Sequence, residues 1–209
     1  MRRISLFAAL LVFAGCASTG MGEAECRMAD WQAVGFEDGA GGLGPESFGD
    51  HRRACADHGV SPSFDAYLAG HARGLEIFCR PQNGARLGTS GIRYAGGCPE
   101  SLEGPFLAAY TESLGLYQRK AALDGIRERL RSKRARSQQI EHELVEKTAQ
   151  LVAPALPAAE RAAIAVDLKH LGEEKGAVEA AIRRLVHERV EAHDEYESYR
   201  SAVANQALD

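Results

Sequence analysis

Glycine and cysteine crowd into one half of this chain, and that partition most constrains what it can fold into. Seventeen of the 22 glycines lie between Gly20 and Gly104, and only four follow. Cys26, Cys55, Cys79 and Cys98 share the same stretch. Interior glycine costs a helix about 1 kcal/mol relative to alanine, so this half favours short elements and turns. The other half, poor in glycine and periodic in its apolar residues, can form long helices. The expected fold class is mainly α: a small disulfide-stapled helical module with a short glycine-rich hairpin or loop, followed by a long antiparallel coiled-coil helical hairpin.

Three short helices are expected in the module. One runs from about Met28 to Asp38, turns Trp31 and Val34 inward, and stops at Gly39 to Gly42. A second starts after Pro45 and ends at Gly59. Ser63 caps a third, which places Phe64, Tyr67, Leu68, Leu75 and Phe78 near one face and ends before Pro81. Gly70 and Gly74, four apart on that helix, permit close approach of a neighbouring backbone. Gly84 to Cys98 reads as a hairpin or ordered loop around Ile92 and Tyr94.

Pro105 is expected to open a helix reaching about Val152. Ala153-Pro154-Ala155-Leu156-Pro157 breaks it, and a second runs from about Ala158 to Val203. On the second, a seam from Ile164 through Leu171, Val178, Leu185, Ala192 and Tyr199 to Val203 is interrupted only by Lys175 and Arg189. On the first, Tyr110, Leu114, Tyr117 and Ala121 give way, after a phase shift near Leu123, to Ile126, Leu130, Ile140, Leu144 and Leu151. So short a break favours an antiparallel hairpin. Tyr110 and Leu114 would then face Tyr199 and Tyr196, and Leu144 and Leu151 would meet Ile164.

The first residues read as an address. Arg2 and Arg3 precede an apolar run from Ile4 to Phe13, far shorter than the roughly 20 residues that span a bilayer core. Phe13-Ala14-Gly15-Cys16 resembles the cleavage box of bacterial lipoproteins. The expectation is a signal peptide over residues 1–15, lipidation at Cys16, a linker over 16–25, the module over 26–104 and the hairpin over 105–209. Ala17, where an aspartate would retain the protein at the inner membrane, directs the anchor to the outer membrane facing the periplasm.

Removing residues 1–15 leaves 23 basic against 29 acidic side chains, a balance of −6. That excludes whole-molecule attraction to nucleic acid. In an oxidising compartment four cysteines make two disulfides, with three possible connectivities. If the first two helices are antiparallel, the pairs are Cys26–Cys55 and Cys79–Cys98. Cys55-x-x-His58 with nearby His51 lacks a second tight ligand pair, so neither metal nor cofactor is expected.

Asp30, Trp31, Glu37 and Asp38 form a dense acidic and aromatic group, from which Asp30, Trp31 and Asp38 are the candidate ligand-binding residues. Trp31 suits a core anchor better than a ligand stacker. No partner at defined spacing completes an acid–base site, and phosphate loops, nucleophile elbows and H-E-x-x-H do not occur. No catalytic residue is assigned, and the chain is read as a non-enzyme. Between Arg119 and Arg136, eight cations stand against Asp124 and Glu128. Arg127, Arg131 and Arg134 are the candidate contacts to an anionic surface, unless Glu173, Glu174, Glu179 and Glu188 on the returning arm neutralise the band.

The ordered run Cys26, Asp30-Trp31, Gly35-Phe36-Glu37-Asp38-Gly39, Cys55, Tyr67, Gly70, Gly74-Leu75, Phe78-Cys79, Gly84, Gly88, Gly91, Tyr94 and Cys98-Pro99 resembles the domain of unknown function 2799 family. The resemblance covers about Cys26 to Tyr117. It implies a proteobacterial envelope lipoprotein and supplies no catalytic residue. The function expected from these readings is that of an outer-membrane-anchored periplasmic lipoprotein acting as a structural or interaction element through its coiled-coil arm. Its partner would be an envelope protein or a second copy. The alternative is an accessory module that binds a glycan or peptidoglycan fragment through Asp30, Trp31 and Asp38.

Overall fold

The computed structural model describes residues 21–206, which fold into helices without any strand. The signal segment and Cys16 lie outside the described residues. The helices are α1 (Glu23–Met28), α2 (Trp31–Gly41), α3 (Phe48–Ala56), α4 (Phe64–Phe78), α5 (Pro81–Thr89), α6 (Glu100–Leu151) and α7 (Ala158–Gln206), with a 3-10 turn at Pro45–Ser47 before α3. They group into two compact units. Among the described residues, one comprises 21–80 with Gly96–Leu102, and the other Pro81–Ala95 with 103–206.

In the first unit the helix expected from Met28 starts instead at Trp31, and a separate short helix, α1, precedes it from Glu23. Ala29 and Asp30 are extended, and the Asp30 carboxylate accepts hydrogen bonds from the Gln32 and Ala33 amides at 3.0 and 3.2 Å. An aspartate that satisfies the free amides of a first turn starts a helix rather than continuing one. Gly42, at φ 78°, ends α2 in the left-handed conformation that only glycine adopts without strain. Ser63 caps α4, its Oγ accepting from the Ala66 amide.

Helices α2 and α4 touch backbone to backbone. A Cβ at Gly35 would fall 2.0 Å from the Tyr67 carbonyl oxygen, and one at Gly39 2.2 Å from that of His71. In return, a Cβ at Gly70 would meet the Gln32 carbonyl at 1.8 Å, and one at Gly74 the Phe36 carbonyl at 2.3 Å. The buried face of α4 is therefore Tyr67, Gly70, His71 and Gly74. Phe64, expected inward, is exposed. The expectation weighed large side chains and missed that glycine fills a buried face when two helices come this close.

Two disulfides staple the unit: Cys26–Cys55, with Cα atoms 5.5 Å apart, and Cys79–Cys98, at 5.7 Å. The pairing is that of the antiparallel reading, although Cys26 sits on α1 instead of ahead of a longer helix. Trp31 packs on Cys26 and Cys55, joined by half-buried Val34 and Val60.

The glycine-rich segment expected as a hairpin or loop starts with helix α5, which lies in the second unit, and residues 92–99 are irregular. Gly84 and Gly88 share one helical face, where Cβ atoms would come within 2.4 Å of the Phe106 and Tyr110 carbonyls on α6. These glycines allow contact between helices and do not make turns. After α5 the Tyr94 ring lies 4.7 Å from that of Phe106, and the Tyr94 amide donates to the Tyr110 hydroxyl.

The chain then forms the expected hairpin, its first arm opening at Glu100, ahead of Pro105. Cross-arm partners descend α7 as they ascend α6: Arg119 with Glu195, Arg129 with Glu188, Glu141 with Lys175 and Lys147 with Asp167. The arms are therefore antiparallel. Leu171, Val178 and Leu185 are buried in the seam, and Lys175 sits half-buried in it between Glu141 and Glu179. Arg189 points to solvent. On α6, Leu123, Ile126, Leu130 and Ile140 are buried, whereas Tyr117 and Ala121 are exposed. The phase shift falls earlier than expected. Gly115 lets the Tyr199 ring approach, and Arg119 stacks on that ring at 3.9 Å.

Candidate functional site

The three module residues singled out in the sequence do not converge on one cleft. Asp30 is spent on capping α2, and Trp31 is buried against the Cys26–Cys55 bridge. Asp38, one turn before the end of α2, joins a polar and aromatic cluster instead. Its Oδ2 accepts from the Tyr67 hydroxyl at 2.7 Å and lies 2.9 Å from His51 Nε2. Next to them His71 is buried, with Nε2 2.7 Å from the Leu43 carbonyl, and its ring stacks on Tyr67 at 5.8 Å. Phe48 fills the gap between Trp31 and Tyr67.

Tyr67 has no exposed surface, and burial first, then the hydrogen bond and charge of Asp38, push its pKa above the ordinary tyrosine range. The cluster holds its polar groups in mutual hydrogen bonds, as buried polar groups require. Sequence reasoning missed His51 and Tyr67 as partners of Asp38, and His71 as the neighbour stacked on Tyr67. They stand 13 to 33 positions away and carry no motif. A shallow depression between α2 and α4 is lined by Asp30, Gln32, Ala33, Phe36 and Arg73. Of the three candidates only Asp30 reaches it.

On the hairpin, neutralisation of the basic band is uneven. Arg136 pairs with Glu174 across the arms at 2.7 Å and with Glu143 on its own helix at 3.2 Å. The Arg136 guanidinium holds the Glu174 carboxyl below its usual range. Arg129 reaches Glu188 at 3.5 Å. Arg127 and Arg131 pair only locally, with Asp124 and Glu128. Glu173 and Glu179, expected to neutralise the band, pair within α7, with Lys169 and Lys175. Exposed ion pairs of this kind contribute little to stability and are screened by salt.

The end of the hairpin differs from its shaft. Residues 148–166 carry two charged side chains, Glu160 and Arg161. Arg161 donates to the carbonyl of Leu151 at 2.6 Å and approaches those of Ala153 and Leu156. Val145, Val152 and Val166 are more than half exposed there. Sequence reasoning did not single this stretch out, and its exposure emerges only from the fold.

Residues 30–114 match the family model described as protein of unknown function (DUF2799). The match takes in α2 through the first part of α6, with all four glycines of the α2–α4 contact and both glycines of the α5–α6 contact. No curated protein and no solved structure matched the chain.

Proposed function

We propose that this chain, with its DUF2799 segment at residues 30–114, is a lipid-anchored protein on the periplasmic face of the outer membrane. It acts by contact, not catalysis, through the α6–α7 hairpin. The observation that carries the reading is the hairpin itself. Its 52- and 49-residue arms, each roughly 75 Å long at 1.5 Å per residue, are held by one seam, leaving most of their surface to solvent. Two disulfides in the module suit an oxidising compartment. The leader over residues 1–15 and Cys16 supply export and anchor.

Two experiments test it. Cys16→Ser moves the protein from the outer-membrane fraction to the soluble periplasm, and unchanged fractionation overturns the anchor. Photocrosslinkers placed along the hairpin in living cells trap a protein neighbour, and deletion of Ala122–Ala192 abolishes the capture. Capture that survives the deletion overturns the role of the arm.

A second reading rests on the depression beside Asp30, where the half-exposed Phe36 ring and the Arg73 guanidinium offer a stacking face and a cation. Such a pair suits a glycan or peptidoglycan fragment. Binding of soluble muropeptides that Phe36→Ala and Arg73→Ala both abolish, with the fold intact, supports it.

A further inference from the structure

We propose that one edge of the hairpin, carrying Arg127, Arg131 and Arg134 on α6 and Arg183 on α7, docks against the phosphate face of an anionic phospholipid bilayer. The inference rests on the reading of a lipid-anchored protein that acts through its hairpin, and it names a surface that the shaft engages.

The two edges of the shaft differ in charge. Glu174, Glu188 and Glu195 are separated by whole heptads on α7, so they share one edge, where they meet Arg136, Arg129 and Arg119. Arg127, Arg134 and Glu141 also stand whole heptads apart on α6, and Glu141 pairs across the arms with Lys175, which marks the other edge. Arg131, one turn after Arg127, lies beside them. In the antiparallel register set by Arg129 and Glu188, Val190 is level with Arg127, Val186 with Arg131, and Arg183 with Arg134. Valine and arginine thus stand on this edge of α7 where acids stand on the other. The acids nearby are already engaged: Asp124 with Lys120 and Arg127, Glu128 with Arg131, and Glu179 with Lys175. Arg134 and Arg183 are exposed and have no ion-pair partner among the described residues.

Charge selects the occupant. The chain carries −6 after the leader, so general attraction does not bring it to an anionic surface. Residues 124–138 nevertheless hold six cations against two acids, and residues 176–191 on the facing arm hold three of each. Charges farther off than about 8 Å are largely screened at physiological ionic strength, so this local excess decides. Arg127 to Arg134 span about 10 Å of helix edge, which suits anions presented in an array. The groove of the shaft lies along the other edge, among Arg129, Lys133, Arg184 and Glu188. A protein interface centres on aromatic or large apolar side chains, and here the arginines are interleaved with two valines only, one of them half-buried. A plane of phosphates needs no such centre. Guanidinium forks take its oxygens, and the arginine stems and valines rest at the lipid interface. The anchor already holds the chain at a bilayer, so a contact that is weak alone becomes effectively intramolecular.

The test mixes vesicles with the mature chain from Ala17, made without leader or acyl group and with both disulfides formed. Vesicles containing phosphatidylglycerol are expected to bind it, with an affinity that falls as salt rises, and vesicles of phosphatidylcholine alone are not. Two double variants remove the same charge from opposite edges. Arg134→Gln with Arg183→Gln is expected to weaken binding by roughly tenfold or more, and Arg129→Gln with Arg184→Gln by less than about twofold. All four side chains are exposed, so helicity and melting should stay unchanged. No binding to the anionic vesicles, equal binding to the neutral ones, or a loss no larger in the first variant than in the second overturns the proposal. So does retention on purified peptidoglycan, lost with Arg134→Gln and Arg183→Gln, in place of vesicle binding. The chain tested carries no acyl group. Failure here therefore leaves standing the anchor, read by fractionation, and the protein neighbour of the arm, read by crosslinking.

Discussion

The Tyr67 hydroxyl donates to Asp38 Oδ2 at 2.7 Å, bridging α4 and α2 between residues 29 positions apart. Asp38 thereby serves as the acceptor on which the module's polar interior converges, with His51 Nε2 on the same oxygen. Removing the phenol oxygen with Tyr67→Phe should cost about 2 kcal/mol, the usual loss for a hydrogen bond to a charged group. Urea denaturation near neutral pH measures it.

The same residue sets an alkaline limit. Tyr67 ionises less readily in the folded chain than in the unfolded one. Its contribution is therefore complete below the unfolded tyrosine value of about 10 and is lost as pH rises above it. The urea midpoint of the native chain should fall more steeply above pH ~10 than that of Tyr67→Phe. Parallel curves would contradict the assignment.

The glycines separate into two kinds with opposite outcomes. Gly70→Ala places a methyl 1.8 Å from the Gln32 carbonyl, a backbone atom that cannot swing away, and should cost about 3 kcal/mol or more. Gly125→Ala, Gly172→Ala and Gly176→Ala add a methyl into open space in the middle of a helix. Each should stabilise the hairpin by roughly 0.5–1 kcal/mol. Thermal unfolding of the four variants, read by circular dichroism, tests both signs.

Asp30 offers a way to tell a cap from a ligand. If its carboxylate works by accepting the Gln32 and Ala33 amides, Asp30→Ala should cost about 1 kcal/mol and Asp30→Ser should restore most of it. A residue kept for its charge toward a bound molecule would not be rescued by serine.

In the seam, Ile140 is completely buried among Leu171 and Val178. Ile140→Ala should destabilise the hairpin by about 2–4 kcal/mol, since the cavity lies between two stiff helices that cannot collapse into it. The loss should appear in the main helical transition.

The seam of α7 was legible in the sequence because a heptad repeat reports burial directly, one side chain at a time. From Ile164 to Val203 only Arg189 left it for solvent. The start of α6 was harder. There the inward positions are Gly115 and Arg119, residue types that no apolar pattern selects, and the tyrosine that covers them comes from the other arm. In the module the same rule fails for another reason. Gly35, Gly39, Gly70 and Gly74 are core residues by position but punctuation by type, so helical faces were drawn from the large side chains and placed Phe64 inward. Gly84 and Gly88 misled in the same way and hid α5. The candidate site was legible only in part. Asp38 could be picked from the sequence, but the residues that bind it come from α3 and α4, and only the fold brings them together.

The Cys79–Cys98 bridge carries a consequence for how the protein responds to a protease. A single cut anywhere in the 18 residues between the two half-cystines would release no fragment, because the sulfur link keeps the upstream and downstream pieces in one molecule. Such a nick stays invisible on a non-reducing gel and appears as two bands once thiol is added.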